Sequence, residues 1–518
     1  MKPNRRVLLK AAVAGGAVAL VPAGFAIGGP EGGQTVAGHA GAGGHSGHSG
    51  TGGHGGHAAA GEHGAAGQQA PAALGALAES AVFAHPMPLP RVLRPVSVTA
   101  RADVYAMRMR EAETELVKGV RTRVRTYDGS LPGPTLRAFR DREVIIRQYN
   151  DLPVRAAVHL HGGHVPSAHD GLPMDVIEPG AHREYRYPNT QRAASLWYHD
   201  HAHHLEAENV YRGLHGTYLL GDAEESALPL PRGRYDVPLV IRDARVEADG
   251  TLIYTRPDLC PHLLVNGKER PYFEVAARRY RFRLYNVSVN RHITLRLADG
   301  SAFQQIATDG GLLEAPVERT EITLAGAERA EIVVDFSRYR VGSSLVLENT
   351  AATATERPEV LRFDVVRKAL DLSGVPRRLS ELPPVPTSGT ERAFVLDLAP
   401  RPQINGLQYD PERVDVETVV GSTEIWTIRN GDAPIPPPNF HIHHSFHTHL
   451  VQFRVLDRNG VPVGPGEAGL KDTVVIAPGD TVRIAMTWGD YTGQYVYHCH
   501  QLGHSSAGQM GRIDVRNA

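Results

Sequence analysis

At 518 residues, with 55 basic against 56 acidic side chains and a formal net charge of −1, the chain carries no excess charge for a polyanion, and no nucleic-acid partner is expected. A hydrophobic content of 42% supports several globular cores, while 54 Gly and 37 Pro favour short strands and turns over long helices. Two Cys exclude a disulfide framework, which leaves 27 His as the unusual feature of the composition.

In chain order, residues 1–27 read as a twin-arginine signal peptide. Asn4-Arg5-Arg6-Val7-Leu8-Leu9-Lys10 precedes an apolar stretch from Ala11 to Val21, too short to span a bilayer, with small residues near Ala26. A Sec signal with a chance Arg pair is the alternative. Export by this route predicts a periplasmic, cell-surface or secreted protein with no stable membrane anchor after cleavage. Residues 28–80 are rich in Gly, Ala, Ser and His and are expected to form a disordered linker. Its six imidazoles (His39, His45, His48, His54, His57 and His63) either bind copper or zinc loosely or are incidental to a spacer.

From about Phe83 the chain reads as strands. Val144–Asn150, Tyr280–Asn286 and Thr423–Asn430 show apolar enrichment or alternation, lie about 140 residues apart, and each closes on Asn. This predicts an all-β fold with an internal repeat, as three antiparallel β-sandwich or barrel domains.

Four His-x-His pairs organise this region: His159/His161, His199/His201, His447/His449 and His498/His500. Residues i and i+2 of a strand share a face, so each pair presents two imidazoles together. Cys499, between His498 and His500, must then face the other way. A thiolate with two imidazoles is the donor set of a blue-copper electron-transfer centre. His504 supplies one imidazole, and His444, three residues before His447, fits as the other. The frame of the His441–His449 run is fixed, because shifting it back requires Pro438 as a ligand and starting it at His441 requires Phe446. Eight imidazoles suit three further coppers as three, three and two. A one-electron relay joined to such a cluster suits four-electron reduction of O2 to water.

The motifs HLHGG (159–163), LWYHDH (196–201), HSFHTHLVQFRVLD (444–457) and YHCHQLGH (497–504) resemble the four copper-binding motifs of multicopper oxidases. LPGPT (131–135), LLVNGK (263–268) and DGGLL (309–313) resemble the bacterial branch of spore-coat laccases, bilirubin oxidases and phenoxazinone synthase. The resemblance implies three cupredoxin-like Greek-key β-barrel domains, at 81–225, 226–378 and 379–518, with the type 1 copper in the last. It implies four coppers per chain. The type 2 copper would take His159 and His447; one type 3 copper His161, His199 and His498; the other His201, His449 and His500. Asp170 falls where the family places a carboxylate near the cluster and is expected as a proton relay, a turn residue being the bland reading. The spore-coat type carries a carboxylate after the last type 1 His, and here that position is Ser505. The weak axial position, five residues after that His, falls on Gln509, with Met510 one step later as the other candidate.

The function expected is a laccase-like oxidase of small phenolic or aromatic amine donors, with Cys499 as the electron-accepting residue. A metallo-oxidase for Cu(I) or Mn(II) is the first alternative, although no Met-rich segment is present. A copper-sequestering protein with a silent core is the second, and the complete ligand sets argue against it. His164, His169, His203, His204, His215, His441 and His443 are expected to be surface or supporting groups. Pro436–Pro438 reads as a stiff loop near the type 1 site, and Cys260 as a buried reduced thiol.

Overall fold

Six β-sheets, taken two by two along the chain, form three lobes in a computed structural model that describes residues 74–352, 356–434 and 443–518. The twin-arginine segment, the His-rich stretch through residue 73, the Pro436–Pro438 run and His441 lie outside the described residues. The first lobe (97–221) pairs a five-stranded with a four-stranded sheet; the second (236–368) and third (390–516) each pair a seven-stranded with a five-stranded sheet. Among the described residues no helix is long and apolar enough to cross a membrane.

The repeat is real at the level of single side chains. Asn150, Asn286 and Asn430 each end the equivalent strand and are buried. Each side-chain amide donates to carbonyls of its own lobe: Val154 and Ile177 for Asn150, Arg291 and Leu324 for Asn286, Ile476 for Asn430. Each side-chain oxygen accepts from the backbone two residues on, at Leu152, Ser288 and Asp432. A buried chain reversal needs its backbone groups paired, and Asn150 and Asn286 each pair three of them.

The purely antiparallel expectation is corrected. Every sheet contains one parallel pair, for example Ala102–Glu115 with Glu143–Asn150 and Thr390–Asp397 with Thr423–Asn430. Such pairs arise where a Greek-key connection returns a strand beside an earlier one. The expected linker is also too long. Leu77 bridges Glu247, the buried Ala78 donates to the Val246 carbonyl, and Ser80 bonds Glu269, so the chain is already packed before residue 80.

Seven strands and two short helices position the site. They are β1 (Val158–His161), β2 (Ala194–Asp200), α1 (Glu206–Arg212), β3 (Arg329–Asp335), β4 (His444–Thr448), β5 (Thr473–Ile476), β6 (Gly493–Cys499), α2 (Leu502–Ser506) and β7 (Met510–Arg516). β1 pairs β2 in the first lobe, and β4 lies between β5 and β6 in the third. The third-lobe core packs Phe394, Trp426, Phe446 and Tyr497 around these strands, and Cys499 belongs to it. Full burial of one such aromatic is worth about 1.5–3 kcal/mol, so the strand that carries the thiol is firmly held.

Candidate metal centres

The two ladders present the same arrangement. His159 stands opposite His199 across β1 and β2, and His447 stands opposite His498 across β4 and β6. The i+2 partners His161, His201, His449 and His500 extend each pair, and all eight imidazoles are buried. The two sets face each other. His159 stacks on His449 and His161 on His447, each with ring centroids 3.8 Å apart. The Nε2 atoms of His201 and His498 lie 3.2 Å apart, those of His449 and His498 3.4 Å, and those of His199 and His500 3.4 Å.

This grouping corrects the pairing implied for the type 3 coppers. His498 falls with His201 and His449, and His500 with His199 and His161, whose ring lies 4.8 Å from it. The facing His-x-His pairs run in opposite chain directions, so the first His of one pair meets the second of the other. Spacing fixes the face each imidazole occupies but not the sense in which two lobes dock.

Hydrogen bonds on the outer nitrogens turn the other nitrogens inward. The Nδ1–H of His159 donates to the Asp170 carbonyl (2.7 Å), that of His199 to the Asp200 carbonyl (2.8 Å) and that of His447 to the Asp472 carbonyl (2.7 Å). The His449 Nδ1–H donates to Asp170 Oδ2 at 2.6 Å. His161 is reversed, with Nε2 on Asp472 Oδ1 (2.9 Å), leaving Nδ1 free. His159 Nε2, His447 Nε2 and His161 Nδ1 are consequently buried with no hydrogen-bond partner. Burial, reinforced by neighbouring imidazoles, holds His161, His199, His447, His449 and His500 well below the ordinary histidine range and His498 at about 3. Neutral imidazoles with converging lone pairs repel one another unless a cation lies between them. The donor set therefore fits soft-to-borderline transition metals such as copper.

The second centre lies behind the first. Alternation along β6 turns Cys499 away from His498 and His500 and into the third-lobe core. Its Sγ lies 3.4 Å from His444 Nδ1 and 3.6 Å from His504 Nδ1, and all three residues are buried. The His444 Nε2–H donates to Asp432 Oδ2 at 3.0 Å. Burial works to lower the His444 imidazole, but Cys499 and Asp432 outweigh it and hold the ring at about 9.

The axial candidates separate by register. Met510 stands opposite His498 on β7 and so shares its face of the sheet, away from Cys499. Gln509 receives the Cys499 backbone N–H on its carbonyl, and its side-chain nitrogen donates to the carbonyls of Asp397 (3.0 Å) and Gln403 (3.1 Å). That fixes the amide and leaves Gln509 Oε1 buried without a partner.

Asp170 follows a short 3-10 turn and precedes Gly171, whose φ of +76° no other residue could adopt here, since a Cβ would lie 2.0 Å from the Val158 carbonyl oxygen. Among the described residues, His164, His169, His203, His204, His215 and His443 join none of the candidate metal clusters. Cys260 is buried and free, 3.5 Å from the Tyr211 hydroxyl, with burial pushing its thiol upward. The sequence reading missed Asp432, Asp472, Arg329 and Glu206. None falls in a histidine spacing, and each meets its partner only through the fold.

Three β-lobes with a thiolate–imidazole centre backing on a shell of imidazoles define a copper redox protein. Multicopper oxidase family models match residues 108–225 and 382–518. The chain is similar to a laccase of Bacillus subtilis, at 36% identity over 84% of this chain and 98% of that protein. It is also similar to a bilirubin oxidase of Albifimbria verrucaria, at 36% identity over 75% of this chain and 72% of that protein. A crystal structure of a laccase from Pediococcus acidilactici superposes with a TM-score of 0.78 at 30% identity, covering 85% of this chain and 96% of that one. The chain belongs to the multicopper oxidase family and is a copper-dependent oxidoreductase.

Proposed function

We propose that the protein is a laccase-type oxidase with four coppers per chain. It takes single electrons from phenolic or aromatic amine donors and reduces O2 to water. The observation that carries this reading is the position of Cys499: its thiol meets His444 and His504, while its chain neighbours His498 and His500 face the opposite shell. A donor-facing site and an oxygen-facing site are thus one residue of backbone apart.

His444, Cys499 and His504 would hold the type 1 copper, with the buried, unpartnered Gln509 Oε1 as a further weak donor. His159 and His447 would hold the type 2 copper; His161, His199 and His500 one type 3 copper; and His201, His449 and His498 the other. Bound copper supplies one-electron redox steps and, as a cluster, the capacity to deliver four electrons to O2.

The remaining steps belong to the protein. Desolvation keeps His161, His199, His447, His449, His498 and His500 neutral, so their lone pairs are available to metal rather than to protons. His504 is the one member of its trio with measurable exposure, at 8%, and offers a donor the shortest approach. Asp170 Oδ2 holds His449 while Oδ1, buried and without a hydrogen-bond partner, is available to carry a proton toward the oxygen site. Twin-arginine export, with copper loaded before translocation, belongs to the same proposal and rests on Asn4–Lys10.

The test is O2 uptake by copper-loaded protein over a panel of phenols, bilirubin, Cu(I) and Mn(II), with kcat/KM measured for each. An aromatic donor should rank first, and Cys499→Ser should abolish uptake with every donor. Four coppers per chain without O2 uptake from any donor would overturn the reading, and a preference for Cu(I) or Mn(II) would replace the donor class.

A further inference from the structure

Glu206, the first residue of α1, is fully buried and forms no ion pair with Lys or Arg among the described residues. Its Oε2 lies 2.9 Å from His201 Nδ1. Neither carboxylate oxygen makes a well-aligned hydrogen bond. Ser505 on α2 sits beside the same carboxylate, and its Oγ lies 3.3 Å from His498 Nδ1, which also meets the Cys499 carbonyl at 3.1 Å. Two further bonds lock these segments together: Ala207 N–H donates to Ser506 Oγ (3.2 Å) and His204 Nδ1–H to the Ser506 carbonyl (2.8 Å). A carboxylate is costly to bury, and here the contact that offsets the cost is the His201 imidazole.

We propose that Glu206 is the positioning carboxylate of the His201–His449–His498 site, holding His201 so that its Nε2 converges with those of His449 and His498 on one metal ion. The inference rests on the copper reading above and extends it to a residue outside every histidine motif. Asp170 holds a second imidazole, His449, so two of the three rings of this site meet carboxylates from the first lobe, while His498 meets the Cys499 carbonyl. The opposite trio is held differently, with a backbone carbonyl on His199 and Asp472 on His161. A carboxylate on the far nitrogen fixes the tautomer and ring plane of a ligating His, and losing such a partner typically weakens metal binding about 10–100-fold. Because Ser505 follows His504 directly, the same short helix carries a type 1 ligand and a hydroxyl beside a type 3 ligand.

The experiment compares wild type, Glu206→Gln, Glu206→Leu and Glu206→Ser as full-length, copper-loaded proteins challenged with a graded chelator. The readouts are copper per chain, the blue absorption band and the thermal midpoint of each copper-free form. Gln keeps an acceptor oxygen for the His201 N–H and should retain its copper close to wild type. Leu should lose copper from one site at chelator concentrations about 10–100-fold lower. The blue band should survive in Leu, and its copper-free midpoint should equal or exceed wild type, since an apolar side chain replaces a buried carboxylate. If Leu lowers the copper-free midpoint, Gln and Ser decide: copper kept by Gln and lost by Ser supports the role. Equal retention by Gln and Ser, or wild-type retention by Leu, overturns it. Failure of the copper reading itself shows differently, as a wild type that binds no blue copper.

Discussion

Arg329 of the middle lobe grips Asp472 of the third lobe with two parallel hydrogen bonds of 2.6 Å, and both residues are buried. Asp472 in turn accepts from His161 of the first lobe on its side chain and from His447 of the third on its carbonyl. The middle lobe supplies none of the shell imidazoles, yet through β3 it orients two of them. The Arg329 Nε–H also donates to the Ser195 carbonyl on β2, so one guanidinium ties all three lobes together behind the cluster.

Arg329→Met should therefore damage both stability and copper binding. It leaves the buried Asp472 side chain without its guanidinium partner, a loss of about 3–5 kcal/mol. Differential scanning calorimetry should show the lowered midpoint, and copper analysis should show metal missing from the shell while the blue centre, built by β4, β6 and α2, persists. Arg329→Lys keeps the charge but not the two-pronged geometry and should fall between. Wild-type copper content in Arg329→Met would dismiss the clamp.

Asp170→Asn separates support from proton handling. Asn retains an oxygen to accept the His449 Nδ1–H, so copper content should hold. It cannot carry a proton at physiological pH, and O2 consumption should fall about 100-fold or more. Anaerobic bleaching of the blue band by a donor should keep its wild-type rate, because that step consumes no proton at Asp170. Oxygen uptake within twofold of wild type would leave Asp170 with a supporting role alone.

Much of the site was legible because strand alternation is a local rule. Spacing of two puts His159 with His161 and His498 with His500, and it turns Cys499 to the opposite face, whatever the rest of the fold does. The Asn-terminated strands were legible for a similar reason, since Asn150, Asn286 and Asn430 each accept from the backbone two residues on. What spacing could not carry was lobe docking. The sense in which facing pairs cross, and hence whether His498 meets His199 or His201, depends on how two lobes pack. Arg329–Asp472 and Glu206–Ser505 are of that kind. α1 was missed for another reason: over Glu206–Arg212 it buries Ala207, Val210 and Tyr211, a run too short to establish a helical period.

The axial assignment predicts an asymmetry between adjacent substitutions. Gln509→Met replaces an oxygen donor by a thioether and should raise the type 1 potential, while Met510→Leu, on the His498 face of β7, should leave it nearly unchanged. Redox titration of the blue band distinguishes them. A larger shift from Met510→Leu than from Gln509→Met would reverse the assignment.

The buried imidazoles make the copper-free protein a pH-sensitive object, with a sign that can be worked out. His498 titrates near 3 when folded against an ordinary value of 6.5. Between those values the unfolded chain binds a proton that the folded chain does not, so folding weakens as pH falls from 6.5 toward 3. Each imidazole so shifted contributes a slope of about 1.4 kcal/mol per pH unit within its window. His161, His199, His447, His449 and His500 act in the same direction. His201, where burial is outweighed by Glu206, acts in the opposite one, and so does His444. Its folded value of about 9 gives stability that is fully present below 6.5 and is lost as pH rises through 9. Denaturant titrations of copper-free protein should accordingly show a stability maximum near pH 6.5, falling more steeply on the acid side where more groups contribute. Copper occupies the lone pairs that protons would otherwise take, so the loaded protein should hold its stability to lower pH, with acid unfolding coinciding with copper release. A copper-free stability profile flat between pH 4 and 6.5 would show that the shell imidazoles are solvated once copper is removed.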